Sequence, residues 1–254
     1  MSPEQFMHQY FEWVAYATLA LAVPVFLLLF FVRAPYGRHI RSGWGPLLDN
    51  RLGWFIMESP AVLVFCVIVL LYARLNITVV LLLLLWQLHY VHRAFVYPWT
   101  LGAGKKMPWS IMLMAIAFNG TNAYLNAWSI AFQGEKYSEL WIGSPQFICG
   151  VLIFFAGMAL NKVSDHQLRL LGRGKDGYQV PHGLAYRWVS CPNYLGEIIQ
   201  WVGWAIAVWS LAGWVFAIWT MANLVPRALA HHRWYRETFE DYPADRRALI
   251  PYIL

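Results

Sequence analysis

Long apolar runs, separated by short polar gaps, make up most of this chain. Seven runs approach the ~20 residues that an α-helix needs to cross a bilayer. They fall near 11–32, 52–73, 76–101, 108–132, 146–163, 194–210 and 212–235. No internal repeat or low-complexity linker interrupts the series. The pattern predicts an all-α, polytopic membrane protein of about seven transmembrane helices, organised as a single integral-membrane domain over residues 1–254.

Basic residues occupy alternate gaps, which indicates an orientation. Lys and Arg gather near 33–51, 93–106 and 162–187 and in the tail near 233–247, whereas the opposite gaps hold little beyond Arg74 and Lys136. Short cytosolic loops are enriched in Lys and Arg. We therefore predict an N-terminus outside the cell or in a lumen and a C-terminus in the cytosol. The first run lacks a basic leader and a small-residue cleavage site, so we expect a retained helix.

Composition excludes several classes of protein. Hydrophobic residues are 59% and charged residues 13% of the chain, against roughly 25% charged in soluble domains. The net charge of +6 is spread over the gaps and not gathered in one patch, which argues against nucleic-acid binding. Cys66, Cys149 and Cys191 form no CxxC pair, so neither a disulfide framework nor a cysteine metal site is predicted.

Polar residues recur at a spacing of four in three late segments. The three rows are Asn161, Asp165 and Arg169; Asn193, Glu197 and Trp201; and Arg227, His231 and Tyr235. On a helix each row lines one face over about 12 Å. Arginine suits phosphate, and Asn, His and Tyr suit ribose and amide groups, so the rows predict a nucleotide-cofactor site built mainly from 161–254. For any single residue, interfacial anchoring or interhelical bonding is the alternative. No glycine-rich strand-to-helix fingerprint accompanies the rows.

A second polar focus lies nearer the N-terminus. Glu58 stands among apolar residues, and Tyr90 lies in a polar cluster with His89, His92 and Arg93. A buried carboxyl group avoids its charged form. We therefore expect a neutral acid that pairs with the tyrosine hydroxyl and grips a ketone oxygen, with a structural interhelical hydrogen bond as the alternative. The histidines lack a third ligand, so no metal site is predicted.

Several segments carry a resemblance to a known family. They are WFIMESP, LHYVHRAFVYP, GMALNKVSDHQLRLL, VSCPNYLGEIIQWVGWA and RALAHHRWYRETFEDYPADRRALIPYIL. Through them the chain resembles the steroid 5α-reductases (3-oxo-5α-steroid 4-dehydrogenases), with the animal type 2 enzyme as the nearest form. The NYLGE element is also similar to segments of other membrane sterol reductases and of isoprenylcysteine methyltransferases.

The resemblance implies a seven-helix enzyme that binds NADPH from the cytosol and reduces the C4–C5 double bond of a 3-oxo-Δ4 steroid or related lipid enone. It implies that Glu58 and Tyr90 hold the 3-keto oxygen, in a pocket formed mainly by the helices near 52–73 and 76–101. The implied cofactor residues are Asn161, Asp165, Arg173, Tyr178, Asn193, Glu197, Arg227, His231, Tyr235, Arg93, Tyr36 and Arg38. Gly172 is an alternative match for Arg173. Met57 replaces a glutamine of the animal enzymes, which leaves the steroid's identity open. No metal and no obligate protein partner are implied.

The implied mechanism is hydride transfer to a polarised enone. Tyr90 and Glu58 would draw electron density from the β carbon and stabilise the enolate, while the cofactor supplies the hydride. A membrane methyltransferase using S-adenosylmethionine would share the NYLGE element but would need no Glu58–Tyr90 pair. A light-driven pump needs a lysine in its last helix, and none occurs from Leu211 to Tyr235. The host membrane, a bacterial inner membrane or the endoplasmic reticulum, stays open.

Overall fold

The computed structural model describes residues 3–32, 43–101, 106–171 and 178–254. Its contacts group the chain into two compact units. Unit 1 comprises Met1–Tyr16 and Ala34–Ser144, and unit 2 comprises Ala17–Arg33 and Pro145–Leu254. The long first helix is therefore divided between the units.

Unit 1 consists of helices and one small sheet. After the start of α1 (Pro3–Phe31) its elements are β1 (Leu47–Asp49), α2 (Asn50–Tyr72), α3 (Ile77–Val91), a π-helical turn (His92–Val96), α4 (Tyr97–Thr100), β2 (Lys106–Pro108), α5 (Trp109–Phe132) and a 3₁₀ turn (Glu139–Gly143). Unit 2 holds the rest of α1, then α6 (Pro145–Leu171), a 3₁₀ turn (Leu184–Arg187), α7 (Pro192–Val208) and α8 (Leu211–Thr238).

Each of the seven apolar runs corresponds to a helix in the described residues, which confirms the predicted all-α class. Two departures stand out. The sequence did not predict the pairing of β1 with β2, because strands of three residues are too short to show an alternating pattern. It also ended the fifth predicted helix near 163, whereas the corresponding helix α6 continues to Leu171, because its last turns are polar and still helical.

Four of the described helices are long and apolar enough to cross a membrane. They are His8–Phe31, Asn50–Tyr72, Ile77–Thr100 and Pro145–Leu171. Between 17% and 39% of the residues in their apolar windows are buried, so most of these side chains face outward, as lipid-facing residues do. Helix α7 has only 17 residues, and polar residues interrupt α5 and α8, so these three do not meet both conditions.

Short-range polar contacts align the helices of unit 1. The Asp49 side chain caps α2 by accepting from the backbone N–H groups of Arg51 and Leu52. The Arg51 guanidinium donates to the Leu101 carbonyl, at 2.8 Å from Nη2, and so joins the start of α2 to the end of α4. Trp86 Nε1–H donates to the Ala61 carbonyl oxygen at 2.8 Å, which joins α3 to the middle of α2. Helix α2 also packs along α5, so it contacts three other helices of unit 1.

In unit 2, α6 and α7 touch through their backbones. A Cβ atom on Gly203 would meet the backbone of Phe154 and lie 2.8 Å from the Gly150 carbonyl oxygen. A Cβ on Gly196 would likewise meet the backbone of Asn161. Small residues allow this close approach between membrane helices. The contact sets the end of α6 beside the start of α7, where the predicted cofactor residues lie.

The close packing of α6 on α7 predicts different effects on stability for two glycine-to-alanine substitutions. Gly203→Ala should lower the free energy of unfolding by about 1–3 kcal/mol, because the new methyl group enters occupied space. Gly120→Ala on α5 meets no atom within 4 Å, so it should be neutral or stabilising. Thermal unfolding of both variants in one detergent checks the prediction, and equal unfolding temperatures would contradict it.

Candidate active site

The carboxyl group of Glu58 is buried between two hydrogen-bond donors from different helical segments. Arg93 Nε–H donates to Glu58 Oε1 at 3.0 Å, and the two side chains form an ion pair. Asn119 Nδ2–H donates to Glu58 Oε2 at 3.2 Å and to the Met57 carbonyl oxygen at 2.7 Å. The sequence predicted a neutral acid paired with the Tyr90 hydroxyl, and that pairing stays a prediction. In these contacts the two oxygens of Glu58 accept from Arg93 and Asn119, which the sequence did not predict as partners.

Tyr90 lies one turn before Arg93 and is 3% exposed. Its ring packs at 4.8 Å from that of Trp86 and at 5.0 Å from that of His89, measured between centroids. The π-helical turn follows directly, and the Tyr97 N–H donates to the His92 carbonyl five residues back. Such wide turns are frequent at functional sites. Pro98 lacks the N–H that a regular helix would need here, which is a physical reason for the turn.

The first and second predicted rows of cofactor residues meet between α6 and α7. Asn161 Nδ2–H donates to the Asn193 carbonyl oxygen at 3.0 Å, and Asn193 Nδ2–H donates to Asp165 Oδ1 at 3.0 Å. Trp201, the last member of the second row, is instead a core residue at 1% exposure and packs on Phe216. Two of the rows therefore join at their polar ends.

The third row runs along α8 and is joined to α7 through Tyr194. Arg227 Nη2–H donates to the Tyr194 hydroxyl at 3.3 Å, and its guanidinium lies 5.3 Å from the centre of that ring. The Tyr194 hydroxyl and His231 Nε2 share a hydrogen bond at 3.2 Å. Arg227 Nη1–H also donates to Asn223 Oδ1 at 3.0 Å. Tyr194 on α7, a partly buried tyrosine, thus contacts two predicted cofactor residues that lie one turn apart on α8.

The remaining predicted residues have different surroundings. Tyr235 is buried and stacks on Tyr242 at 5.4 Å, Tyr178 is exposed and packs edge-on against Trp234, and Glu197 is half-buried on α7. Tyr36, Arg38 and Arg173 lie outside the described residues. Arg93 lies in unit 1, where it pairs with Glu58, whereas the other described cofactor candidates lie in unit 2.

The C-terminal tail docks beside the start of α7 through a buried polar cluster. Ser190 Oγ shares hydrogen bonds of 2.6 Å with His232 Nδ1 and with the Tyr242 hydroxyl. The Ser190 N–H donates to the Arg247 carbonyl at 2.8 Å, and the Cys191 N–H donates to that of Ala248. Burial raises the pKa of Tyr242 above its usual value, so its hydroxyl keeps its proton. The tail thereby supports the helix end that carries Asn193.

Sequence reasoning missed three of the residues that organise these sites. They are Asn119, which contacts Glu58; Tyr194, which contacts Arg227 and His231; and Ser190, which contacts Tyr242 of the tail. The available signal was strongest for Asn119, which directly follows the apolar run IMLMAIAF of α5. For Ser190 no signal existed, because its partners lie 42 and 52 residues away along the chain.

Comparison with known proteins identifies relatives over nearly the whole chain. Residues 105–254 match the family model described as 3-oxo-5-alpha-steroid 4-dehydrogenase. The steroid 5-alpha-reductase DET2 of Gossypium hirsutum is 39% identical over 240 residues, covering 92% of this chain and 93% of that protein. The 3-oxo-5-alpha-steroid 4-dehydrogenase 1 of Bos taurus is 38% identical, covering 95% and 96%. The type 2 enzyme of Macaca fascicularis is 37% identical, covering 92% and 94%. Plant and animal relatives are thus similar to this chain to nearly the same degree.

The docking of the tail predicts that Ser190→Ala destabilises the protein. Loss of the hydroxyl removes a partner from both Tyr242 and His232, and a buried polar group left without its partner costs about 1–3 kcal/mol. We expect a lower midpoint of thermal unfolding than in the wild type. Ser59→Ala on α2 is the control, because the Ser59 hydroxyl donates to the Phe55 carbonyl of its own helix. A midpoint as low for Ser59→Ala as for Ser190→Ala would contradict the prediction.

Proposed function

This chain belongs to the 3-oxo-5-alpha-steroid 4-dehydrogenase family and is an oxidoreductase acting on a CH–CH group, and from this we propose that it uses NADPH to reduce the C4–C5 double bond of a 3-oxo-Δ4 steroid. The observation that supports the proposal most directly is the buried Glu58 carboxyl group, which accepts from Arg93 and Asn119. Arg93 follows the buried Tyr90 by three residues, about one helical turn. Family membership also disfavours a methyltransferase, a receptor or a pump.

Tyr90 and Glu58 hold the 3-keto oxygen of the substrate in this proposal. The tyrosine hydroxyl donates a hydrogen bond that strengthens as negative charge develops on the oxygen during reduction. Glu58 can donate as well only while one of its oxygens carries a proton, and Arg93 then continues to donate to the other oxygen. The aromatic rings around Tyr90 exclude water, which strengthens these electrostatic contacts.

The polar residues of unit 2 have the chemistry to hold NADPH. The Arg227 guanidinium suits a phosphate group, and Asn161 and Asn193 suit amide or ribose groups. Asp165 and Glu197 can accept from ribose hydroxyls. The network from Asn161 through Asn193 to Asp165, together with Tyr194, fixes these side chains before a ligand arrives. When bound, NADPH supplies the hydride of the reaction.

The proposal places the enzyme in a membrane with seven crossings. The four long apolar helices support this arrangement, and the basic gaps favour an N-terminus outside or in a lumen, with the C-terminus and the cofactor-binding residues on the cytosolic side. The substrate, a lipid-soluble steroid or related enone, would then reach its pocket from the bilayer while the charged cofactor arrives from water.

The proposed reaction is tested by incubating the purified full-length protein with NADPH and a panel of 3-keto-Δ4 steroids. Mass spectrometry should show products with two added hydrogens. Tyr90→Phe should lower the turnover number by roughly 100-fold or more, because it removes only the donor to the developing oxyanion, while NADPH affinity stays unchanged. Tyr72→Phe at the exposed end of α2 is the control. Normal turnover by Tyr90→Phe would remove Tyr90 from the mechanism.

The cofactor assignment predicts a separate effect at Arg227. Arg227→Ala should weaken NADPH binding by roughly 10- to 100-fold, as expected for the loss of a charged hydrogen bond. Arg227→Lys should restore only part of the affinity, because lysine lacks the forked donor geometry. Arg236→Ala, an exposed arginine in the last turn of the same helix, is the matched control. The assignment fails if titration calorimetry gives Arg227→Ala the dissociation constant of the wild type.

A further inference from the structure

Asn119 donates hydrogen bonds both to the Glu58 side chain and to the backbone of α2 just before it. Its Nδ2 group donates to Glu58 Oε2 at 3.2 Å and to the carbonyl oxygen of the preceding residue, Met57, at 2.7 Å. Both partners are acceptors, which fixes the orientation of the amide, with its nitrogen toward α2. Asn119 is 6% exposed and lies on α5, a helix that contributes no residue to the predicted site.

The two donors to Glu58 constrain its carboxyl group in complementary ways. Arg93 contacts Oε1 from the π-helical turn after α3, and Asn119 contacts Oε2 from α5. A donor at each oxygen sets the plane of the carboxyl group and opposes its rotation about the last side-chain bond. The bond to Met57 also ties α5 to the helix from which Glu58 projects, so a shift of α2 and a rotation of Glu58 are opposed by the same amide.

We propose that Asn119 is a positioning residue for Glu58, which sets the direction in which the carboxyl group meets the substrate's ketone oxygen. This inference rests on the proposed function, because it requires Glu58 to hold that ketone. A catalytic group displaced by about 1 Å can lose roughly 100-fold in rate. A neutral amide suits the task, since it orients the carboxyl group without adding charge to the pocket. Asn119 therefore acts on the substrate through Glu58 and makes no contact of its own with the reacting atoms.

A general structural role of buried asparagines on α5 is the competing explanation. Asn126 offers the matched control, because it is 2% exposed, lies two turns further along the same helix, and bonds to the Asn122 carbonyl and side-chain oxygens within α5. A substitution at Asn126 removes buried hydrogen bonds of similar length to Asn122, within α5, whereas a substitution at Asn119 removes the bond to Glu58. It therefore separates loss of packing in α5 from loss of Glu58 orientation.

The test measures binding of tritiated progesterone, a 3-keto-Δ4 steroid, to the full-length protein with saturating NADP⁺. Asn119→Leu and the isosteric Asn119→Asp should each weaken progesterone binding roughly 10-fold, which corresponds to the loss of about one hydrogen bond. Both Asn119 variants should also have a lower turnover number. Their NADP⁺ affinity and their midpoint of unfolding should be close to those of Asn126→Leu. Asn126→Leu itself should bind progesterone like the wild type.

The decisive comparison repeats the Asn119 substitutions in a Glu58→Leu background. The Arg93 side chain is 28% exposed and can be hydrated when its partner is removed, so this background should fold. If Asn119 acts through Glu58, its substitution adds no further loss of affinity there. The inference is overturned if the Asn119 substitutions weaken progesterone binding further in the Glu58→Leu background, or if Asn126→Leu weakens it equally. It is also overturned if both Asn119 variants bind progesterone normally, or if both fail to fold.

The same measurements separate this inference from the proposed function. If Glu58→Leu binds progesterone and turns over like the wild type, Glu58 is removed from the proposed mechanism. Any loss of progesterone binding in the Asn119 variants would then be independent of Glu58. A strong loss in Glu58→Leu with wild-type behaviour of both Asn119 variants would leave the proposed function in place and remove only the positioning role.

Discussion

The need to pair a buried carboxyl group governs the arrangement of unit 1. Glu58 lies on a helix whose other side chains are mostly apolar, where an unpaired ionisable group is expensive. Two of its donors come from separate segments, Arg93 in the π-helical turn and Asn119 in α5. The helices on both sides of α2 must therefore keep one alignment, and the same alignment holds the carboxyl group in a single orientation. Stability and the proposed chemistry thus depend on the same contacts.

The backbone contact between α6 and α7 governs unit 2 in a comparable way. Glycines at the crossing bring the two helices closer than larger side chains would allow. Because of this, the Asn193 carbonyl and side chain reach Asn161 and Asp165 directly. Tyr194 then extends the network to Arg227 and His231 on α8. A set of donors and acceptors held in place before binding loses little entropy when a ligand arrives, which favours affinity for a large polar cofactor.

Much of this protein could be predicted because its signals are local. Seven apolar runs of membrane-spanning length located the long helices of the described residues, which are α1, α2, α3 and α5 to α8. The extended motifs led to the family that the comparisons confirm. Glu58 could be recognised as a candidate site residue because it is ionisable and lies within an apolar run. The polar rows were noticed because their spacing of four residues matches one helical face, and two of the rows meet in the structure. Each inference needed only residue type and spacing along a short stretch of chain.

The amino-acid sequence by itself determined where the helices lie, that several suit a membrane, and which polar residues are unusual there, because hydrophobicity and helical periodicity depend on neighbouring residues. Only the tertiary structure decided the partners of those polar residues. Arg93 pairs with Glu58 across 35 positions, Asn119 across 61, and Tyr194 lies 37 positions from His231. Hydrogen bonds act over about 3 Å whatever the separation along the chain. Such pairs form only when the helices have packed, so a pattern in a short stretch of sequence cannot predict them.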